Sequence, residues 1–262
     1  MTSQENIPST WWAIRCVWLR YFAVFRKSIA YSIVTTFAEP LLYLVTFGLG
    51  VGTLVGMMDV QGVKVHYRSF VFAGVLAQTV LFQGFFGAAY GSFVRMYYQK
   101  IFHAMATTPI TLSEVLWGEL LWDASNATFA AFAVLVIGYV TGQFNIVGCL
   151  LALPLSFLCC LMFSGLGLWV AAWSTTIDQI AYPQFLIVFP MFLFCGVFFP
   201  LETLPKILQW IAWFLPLTPV TKLARTLLLG FPLDPAAPLL ILVWTAILVF
   251  GSRRAMMKRL IK

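Results

Sequence analysis

Six stretches of this chain, at residues 31–55, 69–93, 115–140, 147–173, 179–199 and 236–250, are long and apolar enough to cross a lipid bilayer, and the last continues to about Met256. A helix needs about 20 apolar residues to traverse the hydrocarbon core. Lipid offers the backbone no hydrogen bonds, so only helices and closed barrels span it. A barrel strand alternates apolar and polar residues over about ten positions, whereas these stretches are longer and apolar throughout. The fold class that follows is an all-α polytopic membrane protein with six transmembrane helices, built as a single transmembrane domain over residues 1–262. Composition agrees, since only 10% of the residues are charged, against about 25% in a soluble domain.

The remaining charges set the orientation. With the N-terminus on the cytoplasmic side, Arg15, Arg20, Arg26, Lys27, Arg95, Lys100, Arg253, Arg254, Lys258, Arg259 and Lys262 fall inside, and Lys64, Arg68, Lys206, Lys222 and Arg225 fall outside. Cytoplasmic loops collect lysine and arginine, so this distribution predicts both termini in the cytoplasm. Trp169 and Trp173 then lie at the cytoplasmic interface, where indole rings are favoured. The same rule accounts for a net charge of +7 without a nucleic-acid partner, because no basic patch interleaved with aromatics lies outside the apolar stretches. The five cysteines lack the CxxC spacing of a zinc or redox site. The opening MTSQENIPST precedes no short apolar segment with a cleavage site, so no secretory signal is expected. Within residues 8–28, Trp11, Ile14, Trp18, Tyr21, Phe22 and Phe25 recur at helical spacing with Arg15, Arg20, Arg26 and Lys27 on the other side. That pattern predicts an amphipathic interfacial helix lying flat in the cytoplasmic headgroup region.

Two connections carry more information than the spans. Residues 95–109 contain helix formers from Arg95 to about Ala106, after which Thr107-Thr108-Pro109 breaks the helix. Thr111 or Ser113 is placed to cap the next helix, with Glu114 in its first turn. Such a short cytoplasmic helix is either a plain connector or a docking element for a cytoplasmic partner. Residues 200–235 hold apolar pieces too short to span, separated by Pro200, Pro205, Pro216, Pro219, Pro232 and Pro235. Short apolar helices divided by proline on the outer side predict a re-entrant region packed against the bundle.

LFCGVFFPLETLPKILQWIAWFLPLTPVTKLART resembles the signature of type-2 ABC exporter permeases, in which a fifth span ends in Ser/Cys-Gly and Phe-Pro before a Leu-Pro helix, a Pro-Leu-Thr-Pro turn and an arginine. HAMATTPITLSEVLWGE resembles the short coupling helix of that family and the start of its third span. AEPLLYLVTFGLGVG and YRSFVFAGVLAQTVLFQGFFGAAYGS most resemble the nodulation-factor (lipo-oligosaccharide) export permeases. Cys195 stands where the pattern leads one to expect serine or alanine. The resemblance implies a bacterial inner-membrane permease subunit, moving a lipid-linked or lipo-oligosaccharide substrate, with two copies of the chain joined by two cytoplasmic ABC ATPase subunits. O-antigen or capsule polysaccharide and hydrophobic drugs remain alternative cargoes. No GxxxxGK[ST] loop occurs in the chain, so ATP and magnesium are expected on the separate ATPase and no cofactor in this chain. The coupling residues the resemblance implies are Tyr97, Tyr98, Lys100, Ile101, Phe102, His103, Thr108 and Pro109.

Within the spans, Glu39, Glu119 and Asp123 are acids that face either the bundle interior or water. Glu119 and Asp123 are four residues apart on one helix face; Ser92, Arg95 or the N-terminal arginines are candidate partners of Glu119, and Asp123 with Asn126 is placed to hydrogen-bond to a neighbouring span. Each acid is open to two readings, a satisfied contact between helices or a functional group. Glu39, Asp123 and the aromatics Phe82, Phe86, Tyr90, Phe192 and Phe198 form the candidate translocation path among surrounding membrane lipid. Phe199, Pro200, Pro216, Pro219 and Arg225 form the candidate outer gate. Pro40 is expected to bend the first span, and Pro183 and Pro190 the fifth. Two other classes compete. A membrane enzyme would need convergent groups, yet His66 and His103 are expected on opposite sides and neither HExxH nor GxSxG occurs, so neither a catalytic nor a metal site is expected. A gradient-driven carrier would show half-to-half repeats, and none is visible.

Overall fold

The computed structural model describes residues 9–27, 29–60 and 62–261. Residues 8 and 28, the expected ends of the N-terminal helix, and Lys262 lie outside them. Six helical runs are long and apolar enough to cross a membrane: Ala38–Val55, Tyr67–Tyr98, Leu112–Val140, Ile146–Trp173, Ile177–Phe194 and Ala236–Leu260. At about 1.5 Å per residue even the 18-residue fifth run reaches roughly 27 Å, enough for the hydrocarbon core. The second span is the hub, with 83% of its most apolar stretch buried inside the chain, against 18% for the first span and 22% for the fifth. The hub contacts the third and fourth spans, and the sixth packs mainly on the fourth.

Lipid tails are as apolar as leucine, so helices in a membrane hold together by close packing more than by the hydrophobic effect. Glycine permits that closeness at several crossings. A Cβ at Gly74 of the second span would sit 2.0 Å from the Val197 carbonyl oxygen. One at Gly148 would sit 2.4 Å from the Leu227 carbonyl, where the fourth span meets the returning chain. By contrast, a Cβ at Gly87 meets nothing within 4 Å.

The N-terminal segment forms a helix, Thr10–Lys27, but its buried stripe is Ala13, Val17 and Tyr21, which packs on the third span, and of the expected apolar face only Tyr21 is buried. Gly118 opens that span to it, since a Cβ there would lie 2.6 Å from the Val17 side chain. Trp122 is the centre of the contact, with Trp18 at 5.8 Å, Tyr21 at 6.2 Å and Phe25 at 5.7 Å between ring centroids. Trp11, Trp12 and Val24 remain exposed.

Between the first and second spans the chain forms a small antiparallel hairpin, Met57–Val60 with Val63–His66, that the sequence pattern did not announce. At the same end, the fifth span stops at Phe194 rather than at Phe199. Gly196 adopts a left-handed φ of 76°, a turn that glycine makes without steric cost. Two short helices follow, Lys206–Phe214 and Leu217–Leu229, as expected of residues 200–235. The second of them is embedded between the second, fourth and sixth spans, and the first is largely exposed. The opposite end gathers the N-terminal helix, the connection between the second and third spans, and the Arg253–Arg259 turn, and it is called the basic end below.

The helical ladder changes register after two of the three prolines expected to bend the spans, while Pro190 lies in the α-helical Phe189–Phe194 segment. A π-helical segment, Leu44–Val51, follows Pro40 in the first span, and another, Gln184–Val188, follows Pro183 in the fifth. Proline supplies no amide hydrogen, so the ladder re-registers around it. Gly74→Ala is expected to lower the thermal unfolding midpoint of the detergent-purified chain, at a cost of about 1–3 kcal/mol for overpacking. Gly87→Ala should leave the midpoint unchanged or raised. Equal midpoints for the two variants would show that the Gly74 contact does not control packing.

Candidate functional site

The second span carries polar chemistry on one face and aromatic chemistry on another. Near the basic end, the Arg95 guanidinium donates to Glu119 Oε1 at 2.6 Å and to Asp123 Oδ1 at 2.9 Å. The Ser92 hydroxyl donates to the same Glu119 oxygen at 2.7 Å. Gly91 makes room, since a Cβ there would lie 3.0 Å from the guanidinium nitrogens. The Tyr21 ring of the N-terminal helix closes the cluster, 5.2 Å from the guanidinium carbon. Burial, reinforced by the Glu119 charge, holds the Tyr21 phenol well above its ordinary pKa, so it stays protonated. Three elements are thereby joined through one cation. The sequence placed Glu119 and Asp123 on a common face with Arg95 in reach, and the structure brings these three together.

Asp123 consequently does not join the aromatic residues of the candidate path. It is buried against Arg95, and Arg95 stands 13 positions from Phe82, which turns it about 220° around the helix. The aromatic face meets the first and fifth spans. Phe82 and Phe192 are 5.1 Å apart, Phe192 and Phe198 5.3 Å, and Phe82 and Phe86 5.4 Å. Tyr90 donates from its hydroxyl to Gln184 Oε1 at 2.9 Å, tying the second span to the π-helical segment of the fifth. Tyr43 and Phe47 complete the seam from the first span, at 6.0 Å from Phe192 and 4.2 Å from Phe198 respectively. Both were missed in the sequence, although Glu39, Tyr43 and Phe47 recur at every fourth position and so share a helix face. Glu39 itself is half-buried one turn from Tyr43.

At the hairpin end, Arg225 is buried on the returning helix. It donates to the carbonyls of Gly196 and Val197 and lies 3.6 Å from the Phe70 ring. The Thr221 hydroxyl adds a bond to the Cys195 carbonyl at 2.9 Å. The turn that ends the fifth span is thus held by the helix that follows it. Phe199 and Pro200 lie half-buried at this turn, and Pro216 and Pro219 are buried at the start of the returning helix. Arg225 and Pro200 also line a cavity of about 240 Å³ with Glu202, Lys222 and Asp234. The Lys222 ammonium donates to Asp234 at 2.9 Å and holds that carboxyl below its ordinary pKa.

The connection at the basic end differs from its expected form. Arg95 to Tyr98 continue the second span as a π-helical turn, and the separate short helix is Ile101–Ala106. Lys100 breaks the run with a left-handed φ of 51°, the one non-glycine residue so placed among the described residues. The third span opens with a capping box: Glu114 N–H donates to the Thr111 hydroxyl, and Thr111 N–H donates to the Glu114 carboxylate at 2.8 Å. Phe102 is fully buried beneath the short helix, so it fastens the helix to the bundle and offers no surface to a partner. Ile101 is half-buried, whereas Tyr97, Tyr98, Lys100, His103, Thr108 and Pro109 are exposed. No grouping of three or more histidine, cysteine or acidic residues suited to a metal ion occurs among the described residues.

The profile of the family described as ABC-2 type transporter matches residues 13–229. Nodulation protein J of Rhizobium leguminosarum bv. viciae is 33% identical over 217 residues, covering 83% of this chain and 82% of that protein. Nodulation protein J of Rhizobium meliloti (strain 1021) is 32% identical over 227 residues, 87% of this chain and 85% of that protein. Inner membrane transport permease YadH of Escherichia coli (strain K12) is 21% identical over 207 residues, 79% of each chain.

Arg95→Met leaves two buried carboxylates facing each other without their cation. The expected cost is about 3–5 kcal/mol of stability, read as a fall in the unfolding midpoint in detergent. R95M/E119Q/D123N removes all the charge and should recover most of the loss. A single variant as stable as the parent would contradict the stabilising role of the cluster.

Proposed function

The chain belongs to the ABC-2 type transporter family, and from that membership we propose that it is the membrane permease half of an ATP-driven exporter of lipo-oligosaccharide or another lipid-linked glycan. The observation that carries the reading is the match over residues 13–229, which spans five of the six membrane-crossing runs and both short helices after the fifth. The relatives named nodulation protein J support the lipo-oligosaccharide cargo, as does the resemblance to nodulation-factor exporters. Polysaccharide and hydrophobic drugs are the cargoes left if that assignment fails.

The permease sits in the bacterial inner membrane with its basic end in the cytoplasm. Ten described basic residues at that end support this orientation under the positive-inside rule: Arg15, Arg20, Arg26, Lys27, Arg95, Lys100, Arg253, Arg254, Lys258 and Arg259. ATP and magnesium are handled by separate ATPase subunits, two for each pair of permease chains. The ATPase docks on the exposed side of the Ile101–Ala106 helix, through Tyr97, Tyr98, Lys100, His103, Thr108 and Pro109. Phe102 makes that helix a rigid lever, because its buried ring passes any displacement into the bundle. A second copy covers the bare apolar face of the first span and the side of the fifth turned away from the fourth. The aromatic seam between those spans and the second, from Phe82 and Phe86 to Phe192 and Phe198, is the path, closed here by ring contacts. The π-helical segments beside it are where the first and fifth spans change shape. Arg225 and the Gly196 turn act at the outer mouth.

Co-expression with the genes neighbouring it, followed by purification in mild detergent, should recover a nucleotide-binding subunit at one copy per permease chain. Its ATPase activity should rise in the complex. Y98A/H103A is expected to cut retention of that subunit about tenfold or more with the unfolding midpoint unchanged, a loss of roughly 1.4 kcal/mol in binding. Reproducible absence of any nucleotide-binding subunit would overturn the exporter reading. Orientation has its own test. A membrane-impermeant maleimide applied to intact spheroplasts should label His66→Cys and spare His103→Cys, and the reverse pattern would invert the topology.

A further inference from the structure

The basic residues near the end of the sixth span divide into two sets. Arg253 and Arg259 turn inward. Arg253 donates to the Ser113 hydroxyl at 2.6 Å and lies 4.3 Å from the Trp117 ring. Arg259 donates to the carbonyls of Ala171 and Ser174, where the fourth span ends. Arg254 and Lys258 are four residues apart on another face, are exposed, and form no ion pair among the described residues. Cations in the last turn of a helix suit its dipole, but the dipole does not account for the cavity they line.

That cavity, about 820 Å³, is walled by Arg254, Lys258, Arg259, Trp173, Met257 and Ile261, and no acidic side chain among the described residues lines it. Trp173 is also a wall of a second cavity of about 500 Å³, which runs between the fourth and fifth spans. Leu166, Trp169, Val170, Pro183 and Ile187 make most of the second cavity apolar, with Ser174, Gln179 and Tyr182 as its polar side chains. A cationic mouth therefore adjoins an apolar groove at an exposed indole, a side chain favoured at membrane–water interfaces. An acidic protein surface would satisfy the cations but would leave the groove bare. A lipid whose head carries net negative charge satisfies both.

We propose that this paired cavity is a binding site for an anionic phospholipid. The phosphate sits against Arg254 and Lys258, the Trp173 indole lies at the glycerol level, and one acyl chain follows the groove between the fourth and fifth spans. The groove borders Pro183 and Ile187, which flank and belong to the π-helical segment of the fifth span, so an occupying chain bears on the span whose movement opens the aromatic seam. The lipid is drawn from the cytoplasmic leaflet, which rests on the orientation proposed above; binding itself does not depend on it.

The full-length chain is reconstituted into nanodiscs containing either brominated-acyl phosphatidylglycerol or brominated-acyl phosphatidylcholine. Quenching of the Trp173 contribution is read as the difference between the parent and Trp173→Phe. The expected result is half-quenching at a mole fraction of phosphatidylglycerol lower by on the order of tenfold than of phosphatidylcholine, as two cations near an anionic lipid give. Arg254→Gln with Lys258→Gln should abolish that preference, while the maleimide labelling pattern stays as in the parent. Equal quenching by the two lipids in the parent, or an undiminished preference in the double variant, overturns the site. No preference in the parent, together with loss of a co-purifying ATPase from the double variant, assigns the patch to protein docking and overturns it equally. Should the double variant fail to fold, displacement of brominated phosphatidylglycerol from the parent by unlabelled lipid decides: phosphatidylglycerol alone displaces it if the site exists, and both lipids equally if it does not.

Discussion

Inside a bilayer no water completes a hydrogen bond, so each polar group in the spans must find its partner within the protein. That requirement organises the whole chain. Several hydroxyls in the spans turn back to carbonyls of their own helix, as Ser125 does to Leu121, Thr128 to Ala124, Ser156 to Ala152 and Thr245 to Ile241, whereas the buried Thr79 and Ser164 hydroxyls have no partner among the described residues. The buried arginines have no such local solution and are bonded between elements. Arg95 meets Glu119 and Asp123, and by doing so fixes the second span against the third while Tyr21 brings in the N-terminal helix. Arg225 meets the carbonyls freed where the fifth span ends, and by doing so folds the returning helix back into the bundle. The two ends of the molecule are thus locked by one arginine each, while the middle is held by close backbone approach at small residues and by aromatic rings.

The second span is where these constraints converge. Its polar face makes the ion cluster, its small residues admit the Val197 turn and the fourth span, and its aromatic face receives the first and fifth spans. The polar and small-residue contacts are tight, whereas the aromatic contacts are ring against ring between helices that carry π-helical segments and little burial of their own. The bundle thus has a tightly packed side and a side joined mainly by rings. On the proposed coupling, a displacement of the short helix that carries Phe102 reaches the tightly packed side directly, and the aromatic seam is the boundary proposed to open.

Most of the architecture was legible in the sequence because a lipid solvent leaves few options. Twenty apolar residues in a row admit only a spanning helix, and the proline-divided pieces after the fifth span admit only short ones. The Glu119 contact was legible only in part: a buried acid needs a partner, and Ser92, Arg95 and the N-terminal arginines were all in reach, of which the structure uses Ser92 and Arg95. What escaped depends on three-dimensional detail. Phe102 reads as a docking residue until the helix direction buries its ring, because periodicity over a six-residue helix does not say which face is inward. The fifth span was read through to Phe199 because the residues after Phe194 are apolar, and only the Gly196 turn with its Arg225 bonds shows that they leave the helix. Asp123 was grouped with the aromatic residues by its depth, whereas its partner places it on another face of the hub. The Met57–His66 hairpin is too short and too irregular in its alternation to stand out from a loop.

The central claim is that this chain, with an ATPase, moves a lipid-linked glycan from the cytoplasmic to the outer leaflet. The most direct test reconstitutes the purified complex in liposomes with the ATPase facing outward and a fluorescent lipo-oligosaccharide in the outer leaflet. The reporter is then followed with a membrane-impermeant quencher. The account predicts that ATP and magnesium protect the reporter from the quencher over time, that a non-hydrolysable analogue does not, and that Phe102→Ala weakens protection while ATP hydrolysis continues. Unchanged quenching with ATP, in liposomes whose ATPase is active, would contradict the account.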